Sequence, residues 1–206
     1  MLFWKITFVP VPGFPRQLPV RKGKTKQKHC GRKQCQKLLK THTYPAKDFL
    51  VVCDDARADG EVLQIANLLC KGNIAVSGHI ASCERLPEVA EAAGAMKSIP
   101  LAVAGAFHTP IMESAVAKLE SALSEIEIGP TRIPVYSNVD AQPHSQPEEF
   151  KQLLVSQVCC PVLRQESIEK IIADGYDEFY EVGVGWVLRS LMKRIARKTK
   201  IHGVLE

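Results

Sequence analysis

Two side chains in this sequence have the chemistry to move or direct a proton. His108 ends a nearly unbroken apolar run over residues 99–107 and is followed at once by Thr109 and Pro110. That pair reads as a helix start, with the hydroxyl capping and the proline preset at the first helical position. An imidazole where a strand-like segment meets a helix is placed as catalytic groups in α/β proteins tend to be; a structural histidine held by hydrogen bonds would look the same. Gln157 lies seven residues beyond Phe150 in PEEFKQLLVSQV, so its amide points to the apolar face of that segment. A buried amide needs partners, and its side chain or its main-chain carbonyl could orient an imidazole. A helix-to-helix structural bond is the alternative.

Other familiar chemistry is missing. The sequence contains no G-x-S-x-G nucleophile elbow, no Walker loop and no G-x-G-x-x-G. Ser77 in VSGH precedes the Gly-His pair and has no strand-to-helix turn of the elbow kind behind it. His29, Cys30, Cys35 and His42 could be grouped as a zinc knot, but His29 and Cys30 are adjacent and no C-x-x-C pair exists, so no metal site is expected.

The elements that must carry these residues are legible from about Asp48 onward. FLVVCDDARADG reads as a helix, VLQIANLLCKG as an apolar strand or turn, NIAVSGH as a short strand and LPEVAEAAGA as a helix closed by Gly94. After Thr109-Pro110, the residues Ile111, Ala115, Leu119, Leu123 and Ile126 recur at helical spacing. RIPVYSNV is a strand, PEEFKQLLVSQV and SIEKIIADG are helices, DEFYEVG is a strand and WVLRSLMKRIARK a basic helix. Strands alternating with helices predict an α/β fold.

The first 47 residues are of another kind. They carry 12 of the 27 Lys and Arg and none of the 22 Asp and Glu, a charge of +12, while residues 48–206 carry −7. VRKGKTKQKHCGRKQCQKLLK has no apolar period and predicts a segment without structure of its own. A basic nucleic-acid-binding arm, a plain solvated tail and a frameshifted stretch are the readings open for it, the last favoured and a nucleic-acid partner not expected. With 46 % apolar and 24 % charged residues the chain has the composition of an ordinary globular protein. Its apolar runs are too short to span a bilayer and Lys5, Pro10 and Pro12 interrupt any signal-peptide core, so no membrane partner is expected. Seven cysteines at irregular spacing fit reduced thiols and a cytoplasmic location.

GAFHTPIM, then PVYSNV, LVSQVCCPV and FYEVGVGWVLRSLMKRI, preceded by QIANLLCKGNIAVSGH, resemble in order and spacing the C-terminal half of the malonyl-CoA:acyl-carrier-protein transacylases, over about residues 48–206. The resemblance implies an α/β-hydrolase-like large subdomain, here partial and spanning 108–206, with an inserted ferredoxin-like small subdomain, here residues 48–107. It implies transfer of malonyl from coenzyme A to the phosphopantetheine thiol of acyl carrier protein, through an acyl-serine, in fatty acid biosynthesis. No resident cofactor is implied, since malonyl-CoA and the carrier protein enter as substrates. His108 matches the family's catalytic base and Gln157 the residue whose main-chain carbonyl holds it. Phe107 resembles the substrate-binding position that goes with malonyl, its ring leaving little room for an α-methyl branch, and Asn138 in YSNV falls near the site in a supporting role. Val184 stands where the family has proline. The family's N-terminal glutamine segment, its G-H-S-x-G elbow and its carboxylate-gripping arginine have no counterpart in these residues. The sequence therefore predicts a truncated or frameshifted, inactive and poorly soluble form of an acyltransferase. A non-catalytic module binding acyl carrier protein or an acidic polymer is the alternative. Lys193, Arg194, Arg197, Lys198 and Lys200 could meet an acidic partner, or simply complement their own helix dipole.

Overall fold

A computed structural model describes residues 34–40, 46–183 and 185–204. Its first half runs β1 (Gln34–Lys40), α1 (Ala46–Ala56), β2 (Leu63–Cys70), β3 (Asn73–His79), α2 (Ile80–Ala92) and β4 (Lys97–Leu101). The strands form one antiparallel sheet in the order β2-β3-β1-β4. Strand side chains alternate between faces. Leu39, Leu63, Ile65, Ile74 and Val76 therefore meet Phe49, Val52 and Cys53 of α1 and Cys83, Leu86 and Ala90 of α2 in one core. Burial pushes the Cys53 thiol up to about 12, leaving it a small unreactive hydrophobe.

β1 corrects the expectation for the first 47 residues, because residues 34–40 of that stretch are the strand between β3 and β4. Both edges of β1 are paired, and Gln36 and Leu39 are fully buried. Pairing on both sides supplies the order that QCQKLLK lacks in its own periodicity, since strand formation depends on partners more than on the segment itself. The sheet unit thus begins before Asp48. The grouping of His29, Cys30 and His42 and the basic-arm and tail readings lie outside the described residues. Among those described, no three His, Cys, Asp or Glu side chains gather as a metal site would. Nor is any helix long and apolar enough to cross a membrane.

The second half contains a 3₁₀ helix (Pro110–Ala115), α3 (Val116–Ser124), β5 (Val135–Tyr136), β6 (Pro143–His144), α4 (Pro147–Ser156), α5 (Arg164–Ala173), β7 (Glu178–Val182), α6 (Val187–Ile195) and β8 (Lys200–Val204). β7 and β8 pair in parallel, a connection that needs a crossover, and α6 supplies it. Ile168, Ile171, Phe179 and Met192 form the core beneath them. The fold is mixed α/β, and among the described strands β7 and β8 form the parallel ladder. The basic helix, expected to run to Lys198, stops at Ile195, and KIHGV, for which the sequence reading gives no element, forms β8.

The start of α6 is held by a carboxylate. Glu181, 7 % exposed, accepts hydrogen bonds from the main-chain N–H groups of Leu188 and Arg189, both at 3.0 Å. These donors have no partner inside the helix. Replacing Glu181 by alanine should lower stability by about 2 kcal/mol, through the lost cap and two stranded donors. Urea unfolding checks this, and an unchanged midpoint would mean water replaces the carboxylate without cost.

Candidate functional site

β2 organises the site through an irregularity. Its register against β3 shifts between Ile65 and Asn67 and again between Leu68 and Cys70. The main chain freed there bonds a third segment: Val162 N–H donates to the Ala66 carbonyl and Leu68 N–H to the Val162 carbonyl, both at 2.9 Å. This fixes residues 157–163, the exit from α4, against the first sheet.

His108 lies against that exit. It is 8 % exposed and has φ of +64°, a left-handed conformation uncommon outside glycine. Several bonds hold it there. Its N–H donates to the Val158 carbonyl at 3.1 Å, and its own carbonyl accepts from Gln64 Nε2 at 2.8 Å. Thr109 Oγ1 donates to the Ala106 carbonyl at 2.7 Å, closing the turn around Phe107 and His108. That last bond corrects the expected helix cap. The Thr109 hydroxyl faces back into the buried turn, and the helix opens instead with a 3₁₀ segment that has no side-chain cap. Of the periodic apolar residues that follow, Leu123 is buried while Ile126 is 51 % exposed.

The His108 ring meets Gln157 as a hydrogen-bonded pair. Nδ1 lies 2.9 Å from the Gln157 main-chain carbonyl. Gln157 is the C-terminal cap of α4, and carbonyls at a helix end have no partner within the helix. The acceptor is thus available because the helix stops there. The Gln157 amide nitrogen is 3.4 Å from Nδ1 and 3.4 Å from the Cys160 carbonyl. The main-chain contact is shorter and decides the tautomer, with Nδ1 donating to the carbonyl. In the neutral ring this leaves the lone pair on Nε2.

Burial pushes the His108 pKa below its ordinary 6.5, outweighing the Gln157 and Cys160 carbonyls, which favour the cation. The neutral ring is therefore the favoured form at pH 7. Because the folded state binds the proton more weakly than the unfolded state, the stability tied to this group is fully present above 6.5 and is lost as pH falls through the lowered folded value. Urea unfolding between pH 7.5 and 5 should show a loss that His108→Gln does not. Equal losses in the two proteins would place the titration elsewhere.

Phe107, next to His108 in the chain, has 38 % of its surface exposed. Asn138 enters through its main chain, its carbonyl accepting from Leu163 N–H at 2.8 Å just before α5. Ser77 is fully buried within β3, unlike an elbow nucleophile. Val184 falls outside the described residues. Gln64 was not singled out by its spacing, although a glutamine between Leu63 and Ile65 in an apolar strand is the signal that could have found it.

No protein-family model matches the sequence. Among curated proteins, malonyl CoA-acyl carrier protein transacylase of Bacillus subtilis (strain 168) is 39 % identical over 153 residues, 74 % of this chain and 48 % of the relative. The Staphylococcus aureus (strain COL) protein of the same name is 35 % identical over 153 residues, 74 % of this chain and 50 % of its own. The chain spans about half the length of these relatives. Among solved structures, an acyl carrier protein S-malonyltransferase from Vibrio cholerae aligns with a TM-score of 0.80 and 29 % identity, over 85 % of this chain and 56 % of that one. A malonyl-transacylase in complex with a type II PKS acyl-carrier protein aligns with a TM-score of 0.78 and 30 % identity, over 84 % of this chain and 55 % of that one.

Proposed function

We propose that this chain, which over 74 % of its length belongs to the malonyl CoA-acyl carrier protein transacylase family, carries the general-base part of a malonyl-transfer site. The observation that carries this is the His108 Nδ1 bond to the Gln157 carbonyl at 2.9 Å, which presents Nε2 as a base. In the proposed reaction Nε2 takes the proton of a serine hydroxyl as its oxygen attacks the malonyl thioester carbonyl. The C–S bond breaks and the departing coenzyme A thiolate receives that proton. In the second half the phosphopantetheine thiol of acyl carrier protein gives its proton to Nε2, and its sulfur attacks the malonyl ester. The serine hydroxyl is restored with the proton from His108. The steps balance without a resident cofactor. The 206 residues hold no G-x-S-x-G serine, so in this reading the hydroxyl comes from outside them.

The finer architecture belongs to the same reading. A βαββαβ order with the sheet arranged β2-β3-β1-β4 supports a ferredoxin-like small subdomain, followed by part of an α/β-hydrolase-like one. Phe107 would line the malonyl side of the site and disfavour methylmalonyl, and Asn138 would brace it. Lys193, Arg194, Arg197, Lys198 and Lys200 are all exposed and offer an acidic carrier protein a basic surface. Cys53, Cys70, Cys159 and Cys160 are free thiols, which supports a cytoplasmic setting.

The test is a chimera in which residues 34–206, which keep the four-stranded sheet whole, replace the corresponding part of the Bacillus subtilis relative. It should transfer radiolabelled malonyl from malonyl-CoA to acyl carrier protein. A folded chimera that forms no malonyl-carrier protein would overturn the reading.

A further inference from the structure

We infer that Gln64 is a positioning residue for the His108 base, one amide group that ties the sheet, the base and the Gln157 segment together. The inference rests on the reading of His108 as a base and adds to it a residue on another element.

Gln64 lies on β2 and is the cross-strand neighbour of Ser77 on β3, which in turn faces Gln36 of β1. These three polar residues form a row across the sheet on the face turned away from α1 and α2. Gln64 Nε2 donates to the His108 carbonyl at 2.8 Å and lies 3.5 Å from the Cys159 carbonyl. The first carbonyl belongs to the base itself. The second is two residues beyond Gln157, whose own carbonyl receives Nδ1–H. A single –NH2 therefore faces both strands of the arrangement that sets the ring's direction, and an amide supplies two donors from one nitrogen without charge. Glutamate at this position would turn an anion towards two carbonyl oxygens, and methionine would leave both without this donor.

The left-handed backbone of His108 gives the contact its importance. At φ +64° a histidine persists only where the surroundings over-determine it. Of the bonds holding its main chain, that from Gln64 comes from the regular sheet, whereas the bond to Val158 links one loop to another. Without Gln64, residues 106–109 can relax and Nδ1 loses its line to the Gln157 carbonyl.

The test uses the full 206-residue chain with 15N-labelled histidine. In the wild type, ring 15N shifts should report the Nδ1–H tautomer at His108. Gln64→Met, which keeps the volume, and Gln64→Glu, which keeps the shape, should both mix the tautomers and move the ring's titration midpoint, with the far-UV circular dichroism unchanged. In the chimera either variant should lower kcat by about 10- to 100-fold with little change in KM for malonyl-CoA. An unchanged tautomer and midpoint in a folded variant overturns the inference. Loss of the fold in both variants would make Gln64 a structural residue only and overturn it too. Ring shifts that respond in the chain while the wild-type chimera transfers no malonyl would leave the positioning role standing and remove the transferase reading.

Discussion

Alanine at position 108 should lower malonyl transfer by the chimera by about 10²- to 10⁴-fold, the range for a positioned general base. The loss should fall on kcat, with KM for malonyl-CoA little changed, because the imidazole acts on a proton in flight and the thioester's remaining contacts stay in place. Both half-reactions use the same nitrogen, so acylation and transfer to the carrier protein should slow together in single-turnover measurements. His108→Gln preserves hydrogen bonding but accepts no proton, and should be nearly as inactive as alanine. The pH profile of kcat/KM should lose its acidic limb in both variants. That limb should lie below the ordinary histidine value of 6.5, because burial disfavours the imidazolium. A His108→Ala chimera retaining more than about a tenth of the activity would remove general-base catalysis from this residue, since that is far less than a base contributes.

The largest stability effect is expected from Gly78→Ala, in the VSGH segment at the end of β3. A Cβ built there would stand 2.1 Å from the Val62 carbonyl oxygen and 2.8 Å from Leu63 Cα. Both are backbone atoms, so no rotamer change can relieve the clash. They are also pinned, because His79 N–H donates to that same Val62 oxygen at 2.9 Å and Val62 N–H donates to His79 Nδ1 at 2.8 Å. Accommodation requires β2 and β3 to part where Leu63, Ile65 and Val76 enter the core. The expected cost is about 3 kcal/mol or more, at or beyond the upper end for overpacking. Gly129→Ala is the control, since nothing lies within 4 Å of a Cβ there. It should stay within about 0.5 kcal/mol of wild type. Urea unfolding compares the two, and a Gly78→Ala protein as stable as the control would mean that the start of β2 yields freely. Because Gln64 follows Leu63 directly, any surviving Gly78→Ala protein should also show a disturbed His108 ring.

Local order in the sequence determined much of this protein. FLVVCDDARADG, the proline and acids opening PEEFKQLLVSQV and the short apolar run in NIAVSGH each read locally as their element, and the structure forms helix, helix and strand there. His108 stood out as a polar group at the end of an apolar run, and Gln157 as an amide on the apolar face of its helix. Their order and spacing among the neighbouring motifs were enough to show which family the chain resembles.

Tertiary structure alone decided how these pieces meet. Residues 34–40 are a strand because β3 and β4 flank them, and no period within QCQKLLK reports that. β8 exists because α6 brings it back beside β7, a pairing between residues about 20 apart. The His108 ring meets the Gln157 carbonyl, which is available because α4 ends there, and its main chain is bonded by Gln64, 44 positions earlier. Thr109 shows the difference within a single residue. Its place before Pro110 reads locally as a cap, yet its hydroxyl satisfies the Ala106 carbonyl in a turn buried against distant segments. The physical reason is common to all of these. Propensity and periodicity act over a few residues and are written in the chain, whereas the pairing of strand edges and buried polar groups is settled by atoms from segments far apart in sequence.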